Sequence, residues 1–246
     1  MDQQTDISAI RARLASPGFA SSVLSGHASS AASGHATFES AVGSLRFGVL
    51  HEWFGFSEAQ SRKHWTPPLS VLVGLAQSAM CNPALSFRVA WIGRRCWPSP
   101  LFLPRALLAL SVFLDPPDHA SRLWCIDVAS RCTHPTIVIA DGSGVTLANT
   151  RRLQLASASG ESVCMLARPP WEEHALSAAT TRWSVARQAT LARRPRWAVT
   201  LLRNKDCPVV IEDRPCIVVE FDHASGLIRI PSALGDSAIR TQAEAS

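Results

Sequence analysis

The stretch 136–170 constrains the fold of this chain more than any other. Thr136-Ile-Val-Ile-Ala140 is β-branched without polar alternation, the texture of a strand buried on both faces of a parallel sheet, and Asp141 stands just past its carboxyl end. Ser162-Val-Cys-Met-Leu-Ala167 repeats that texture. Between them, Asn149 or Thr150 is placed to cap a helix running through Ala158, and Gly160 to end it. Parallel strands need a crossover of about a dozen residues or more, and this one has it. A doubly wound α/β domain with this βαβ unit at its centre is therefore expected.

A chain of 246 residues, 47% hydrophobic and 17% charged, has the apolar content for a real core, which excludes a disordered acidic or basic protein. One domain spanning 41–232 is expected, preceded by a short helix and Ser/Ala/Gly-rich linker over 1–40 and followed by a polar tail over 233–246. No apolar run approaches the roughly 20 residues that cross a bilayer, and Met-Asp-Gln-Gln-Thr-Asp at the start lacks the regions of a secretory signal. A soluble, cytoplasmic protein without membrane contact is the expectation. The seven cysteines form no CxxC pair and sit mostly in apolar stretches, so free buried thiols are expected and a zinc site is not.

Read in order, Arg46-Phe-Gly-Val-Leu-His-Glu-Trp-Phe54 has strand character, with Gly55 to turn the chain. Thr66 is placed to cap the next helix, prolines 67 and 68 fall in its first turn, and Leu69, Leu72, Val73, Ala76 and Met80 form its apolar stripe. Phe87-Arg-Val-Ala-Trp-Ile92 reads as a strand. Residues 106–114 read as a helix end followed by a strand. Asp118 caps a helix on which Trp124, Val128 and Cys132 recur, closed by His134-Pro135. After a loop at Trp171, residues 181–186, 197–203, 209–211, 216–221 and 227–230 read as short alternating strands, an antiparallel extension of the main sheet.

Several short segments carry a family resemblance. Asn149-Thr-Arg-Arg-Leu-Gln-Leu-Ala156, then Thr181-Arg-Trp-Ser-Val185, Pro195-Arg-Trp197 and Leu201-Leu-Arg203, resemble the ImuA family of bacterial SOS mutagenesis proteins, distant relatives of the RecA recombinase. Gly48-Val-Leu-His-Glu-Trp-Phe-Gly55 is similar to that family's N-terminal strand motif. The resemblance implies a RecA-like sheet and a non-catalytic accessory role in translesion DNA synthesis. The implied partners are an ImuB-type inactive Y-family polymerase and an error-prone replicative-type polymerase, with RecA itself and single-stranded DNA as further candidates. An ATP-dependent recombination enzyme and a SulA-like inhibitor of cell division are the alternatives.

In a nucleotide-binding relative, a phosphate loop would follow the first strand. Such a loop needs glycines for close backbone approach, a Lys against the phosphates and a Ser or Thr for magnesium. Here Glu58, Trp65, Pro67 and Pro68 occupy the stretch, and Lys63 lacks Gly and Ser/Thr neighbours. After Ile92, Gly93-Arg94-Arg95 stand where a catalytic carboxylate is expected, and Asp141, at the place of a magnesium-directing acid, reads as a turn cap. The phosphate loop is read as degenerate, with no catalytic residue, cofactor or metal.

Between Ala175 and Lys205 there are six arginines and one lysine and no acidic residue. Arg182, Arg187, Arg193, Arg194 and Arg196 are expected to form a basic face, because a buried guanidinium without a carboxylate is costly. Arg203 and Lys205, in Leu201-Leu-Arg-Asn-Lys205, resemble the basic positions of RecA's Val-Val-Lys-Asn-Lys motif. These seven residues are the candidate contacts to a partner or DNA, through paired guanidinium hydrogen bonds. A solvated sheet edge, whose charges discourage edge pairing, accounts for the composition equally well. At least one of Trp183 and Trp197 is expected in the core.

Overall fold

The computed structural model describes residues 47–57, 64–80, 86–190, 194–205, 216–222 and 227–231. The strands are β1 (Val49–Phe54), β2 (Arg88–Ile92), β3 (Ser111–Leu114), β4 (Thr136–Asp141), β5 (Val163–Arg168), β6 (Thr181–Gln188), β7 (Arg196–Asn204), β8 (Cys216–Asp222) and β9 (Leu227–Arg229). The helices are α1 (Leu69–Met80), α2 (Arg105–Ala109), α3 (His119–Ser130) and α4 (Leu147–Gly160). Among the described residues one nine-stranded sheet runs in the order β3-β2-β4-β5-β1-β6-β7-β8-β9. The expected βαβ unit is present: β4 and β5 are parallel neighbours, Ile137 opposite Val163 and Asp141 opposite Ala167, and every residue of both strands is buried.

The apolar strands have no polar face because helices cover both sides of the sheet. On one side Trp53, Trp91, Ile139, Met165 and Trp183 meet the inner faces of α1 and α2. On the other, Leu50, Ile92, Val138 and Leu166 meet α3 and α4. Beyond β6 the α1 side continues over the later strands, where Val199, Val219 and Ile228 join the same core.

The sheet is antiparallel from β7 onward. β6 itself runs parallel to β1, so the antiparallel extension begins one strand later than its alternation indicates. The helix starts differ as well. Thr146, not Asn149 or Thr150, caps α4 by accepting from Asn149 N–H; Thr150 lies buried inside the helix. Thr66 pairs with Phe56 in an antiparallel bridge, and α1 starts at Leu69 after both prolines. Asp118 caps α3 as expected, but that helix ends at Ser130, short of Cys132.

Gly160 does not terminate α4 through a left-handed backbone. Glu161 takes that conformation (φ 49°), and Gly160 is the last helical residue. Its role is close approach: a Cβ there would sit 2.0 Å from the Ser130 carbonyl oxygen, so the absent side chain lets the ends of α3 and α4 touch. The linker over 1–40, the strand expected at 209–211 and the tail from 233 lie outside the described residues.

Candidate functional site

The segments that carry the resemblance meet in space. β1 and β6 are parallel, with His51 opposite Thr181, Glu52 opposite Arg182 and Trp53 opposite Trp183. Each opposed pair interacts. His51 Nδ1 lies 2.7 Å from Thr181 Oγ1, Arg182 Nε donates to Glu52 Oε2 at 2.7 Å, and the two indoles stack with centroids 5.4 Å apart. A hydrogen bond, an ion pair and an aromatic stack in successive rungs fix the register, since a one-residue slip would break all three.

Glu52 has no exposed surface. Its second oxygen accepts from Arg168 Nη1 at 2.6 Å and Ser177 Oγ at 2.7 Å. Arg168, equally buried, also donates to Glu172 Oε2 and to the Val145 carbonyl, while Gly144 N–H donates to the other Glu172 oxygen. Two carboxylates and two guanidiniums thus form a neutral, hydrogen-bonded chain from β1 to the loop after β4. Satisfied on every side, it avoids the cost of isolated buried charge.

The other motifs close on the segment 177–181. Gln154 of α4 accepts from Leu50 N–H and from Thr180 Oγ1, and donates to the Gly48 carbonyl. Thr150 Oγ1 accepts from Ala178 N–H. Arg203 donates to the carbonyls of Ser177 and Ala179 at 3.0 and 2.8 Å, and Lys205 Nζ donates to that of Ala178. Burial and then the facing charge of Arg182 push the Arg203 pKa down, with Glu52 opposing. Both cations of the Leu-Leu-Arg-Asn-Lys segment therefore hold backbone of their own chain. Ser177-Ala-Ala-Thr-Thr181 is the hub, and sequence reasoning missed it because two alanines that bond through their backbone and three small hydroxyl residues give no signal until their partners are known.

The expected basic face is not continuous. Arg182 is buried against Glu52. Arg196 Nε donates to Glu220 Oε1 at 2.7 Å, the residue directly opposite it on β8, and Arg194 lies 3.7 Å from Asp222. The expectation that these guanidiniums lack acid partners fails because the acids come from neighbouring strands distant in sequence. Arg187 and Arg194 are surface residues, whereas Arg193 lies outside the described residues. Trp183 and Trp197 are both in the core.

The carboxyl ends of the parallel strands are where doubly wound sheets place ligands. Asp141 Oδ1 accepts from Ser143 N–H, closing the turn after β4 as expected of a capping acid, and its other oxygen faces Arg122 and Arg95 at 3.6 and 3.8 Å. Arg95 lies over the Trp65 ring, 5.3 Å from its centroid. Beyond β1 the chain folds back on itself: a Cβ on Gly55 would come within 2.1 Å of the Thr66 carbonyl oxygen, and Trp65 is buried beneath the bridge. Lys63 and Glu58 lie outside the described residues. Cys96 and Cys164 are buried; burial pushes both thiols up, Cys164 to about 12, so neither is an accessible thiolate nucleophile. Among the described residues no group of three or more His, Cys, Asp or Glu side chains is arranged to hold a metal ion, and no helix is long and apolar enough to cross a membrane.

No protein-family model matches the chain, and no curated protein does.

Proposed function

We propose that this chain is a non-catalytic accessory protein of damage-induced mutagenesis, built on a RecA-like sheet with a degenerate phosphate loop. It works by holding an ImuB-type protein and an error-prone polymerase together, with RecA or single-stranded DNA as further contacts. The observation that carries the reading is the convergence of the resembling segments: β1, α4, β6 and the end of β7 interlock through Glu52, Gln154, Arg182 and Arg203 around 177–181. Segments recognised separately by likeness thus have one shared physical task.

The non-catalytic half of the reading rests on the strand ends. Arginines 94 and 95 follow β2, Asp141 is engaged by its own turn and faces two guanidiniums, and prolines 67 and 68, which have no N–H to offer a phosphate, lead into α1. Two experiments test it. Tagged protein expressed with an ImuB-type partner and the polymerase is expected to retain both through purification, and loss of both on washing at moderate salt counts against the reading. Magnesium-ATP titrated into the protein is expected to give no saturable signal; micromolar binding abolished by Asp141→Ala would instead favour the recombination enzyme.

A further inference from the structure

The solvent side of α4 carries Ala148, Arg151, Arg152, Leu155, Ala158 and Ser159, and Leu155 is 68% exposed there. The segment 176–180 runs alongside the helix. Ala178 N–H donates to Thr150 and Thr180 Oγ1 to Gln154, so two residues of the segment advance by about one helical turn, and Leu176, 75% exposed, comes level with the first turn of α4. A single exposed leucine is ordinary on a protein surface. Here two stand about 12 Å apart along one helix, and Arg151 falls about one turn from each. Its guanidinium has no hydrogen-bond or ion-pair partner among the described residues, whereas Arg131 and Arg152 share Asp127 of α3. Three arginines thus meet one carboxylate on this face. Neither α4 nor the segment 174–181 contains an acidic residue; Glu161 follows the far end of α4 and Glu173 precedes the segment. α3, α4 and 174–181 all belong to the described block 86–190, so the balance counts every side chain of the elements that form the face.

We propose that this face is a docking site for an acidic amphipathic helix of a partner protein, one that carries apolar residues two turns apart and a carboxylate midway between them. The inference rests on the accessory reading and names the chemistry of one partner contact. Two turns of a helix span about 11 Å, so the two apolar residues pack on Leu155 and Leu176 while the carboxylate takes Arg151, whose planar fork matches it. The carbonyls of Ser177 and Ala179 accept from Arg203 and that of Ala178 from Lys205. The segment that carries Leu176 is therefore fixed before a partner arrives, and little ordering cost falls on binding. Nucleic acid is the poorer occupant, because its phosphates gain nothing from two exposed leucines and Arg151 alone is left to meet them without a carboxylate already in place. A second copy is poorer as well, since a twofold contact here would bring two acid-poor, arginine-bearing stripes together.

The test uses the full chain and a fluorescein-labelled helical peptide of alanine and glutamine in which two leucines stand two turns apart with a glutamate midway, with lysine replacing the glutamate in the control. Anisotropy is expected to show saturable binding of the acidic peptide, tighter than the control by about tenfold or more. Arg151→Glu should reverse that preference, so that the lysine peptide becomes the tighter ligand, a result that loss of folding would not produce. Leu155→Gln is the second variant. It keeps helix propensity and should weaken both peptides by about tenfold without altering their ratio. Absent binding, equal binding of both peptides, a preference that survives Arg151→Glu, unchanged affinity in Leu155→Gln, or displacement of the peptide by oligothymidylate would each overturn the assignment, as would a dimer in sedimentation that Arg151→Glu dissociates. If the acidic peptide fails to bind while the unaltered protein still co-purifies with the ImuB-type partner and the polymerase, the face is withdrawn and the accessory reading stands. Binding of the peptide by a protein that retains neither partner removes the accessory reading and leaves the face.

Discussion

Glu52 is a carboxylate with no exposed surface, gripped by two guanidiniums and a hydroxyl, and such a site is worth little against an apolar replacement of all members but much against removal of one. Glu52→Gln keeps the shape and leaves Arg168 and Arg182 without their shared charge. We expect a loss of about 3–5 kcal/mol, seen as a fall in Tm of roughly 10 °C for a domain of this size; an unchanged melting curve would show that water, not Glu52, compensates the pair. Asp127 is a milder case. Burial alone would raise its pKa, but hydrogen bonds from Arg152 and Arg131 outweigh burial and hold the carboxyl below its ordinary value. A folded-state pKa below the unfolded one gives stability that is present above about pH 4 and is lost as pH falls through the folded value. Both arginines are partly in water, so the contribution is about 1 kcal/mol. Urea midpoints of Asp127→Asn and the unaltered protein should therefore differ at pH 6 and converge toward pH 2.

Between elements, the contact that decides most is the end of α3 against the end of α4. Alanine for glycine within a helix ordinarily stabilises by about 1 kcal/mol. At Gly160 the added methyl would meet backbone at Ser130 and Arg131, which cannot rotate away. Gly160→Ala is thus expected to destabilise by about 2 kcal/mol or more, measured by urea unfolding; a gain would mean that α3 and α4 shift apart freely. The β7–β8 pair makes a parallel case: Arg196→Ala strands Glu220, buried beneath it, and should cost more than Arg187→Ala at the surface. These contacts explain what was legible in the sequence. The βαβ unit was readable because unbroken apolar strands can only be buried on both faces, and Asp118 because an N-cap is a local feature. The Thr146 cap was missed for two nearer-looking candidates. β6 was misassigned because alternation reports burial on its two faces and says nothing of strand direction. The arginines were read as unpaired because only the sheet order brings Glu52 and Glu220 beside them.

For the molecule as a whole, that order has a kinetic and a thermodynamic consequence. β1 lies between β5 and β6, so the first strand completes its pairing only when segments far along the chain arrive; the Glu52–Arg168 and His51–Thr181 contacts span 116 and 130 residues. Long-range closure of this kind is slow to form and, once formed, opens only with the entire sheet. The edges differ: among the described residues β3 pairs on one side with β2 and β9 on one side with β8, and each is shorter than the central strands. Native-state hydrogen exchange should then divide the sheet. Amides of Trp53, Ile139 and Met165 are expected to share a single opening free energy equal to that from urea unfolding, while those of Val112 and Ile228 exchange through smaller local openings. Glu52→Gln should lower the shared central value by the amount seen in equilibrium unfolding and leave the local openings of β3 unchanged. If Val112 were instead as protected as Trp53, β3 would have a covering neighbour on its open side, and its place as an edge of the sheet would be wrong.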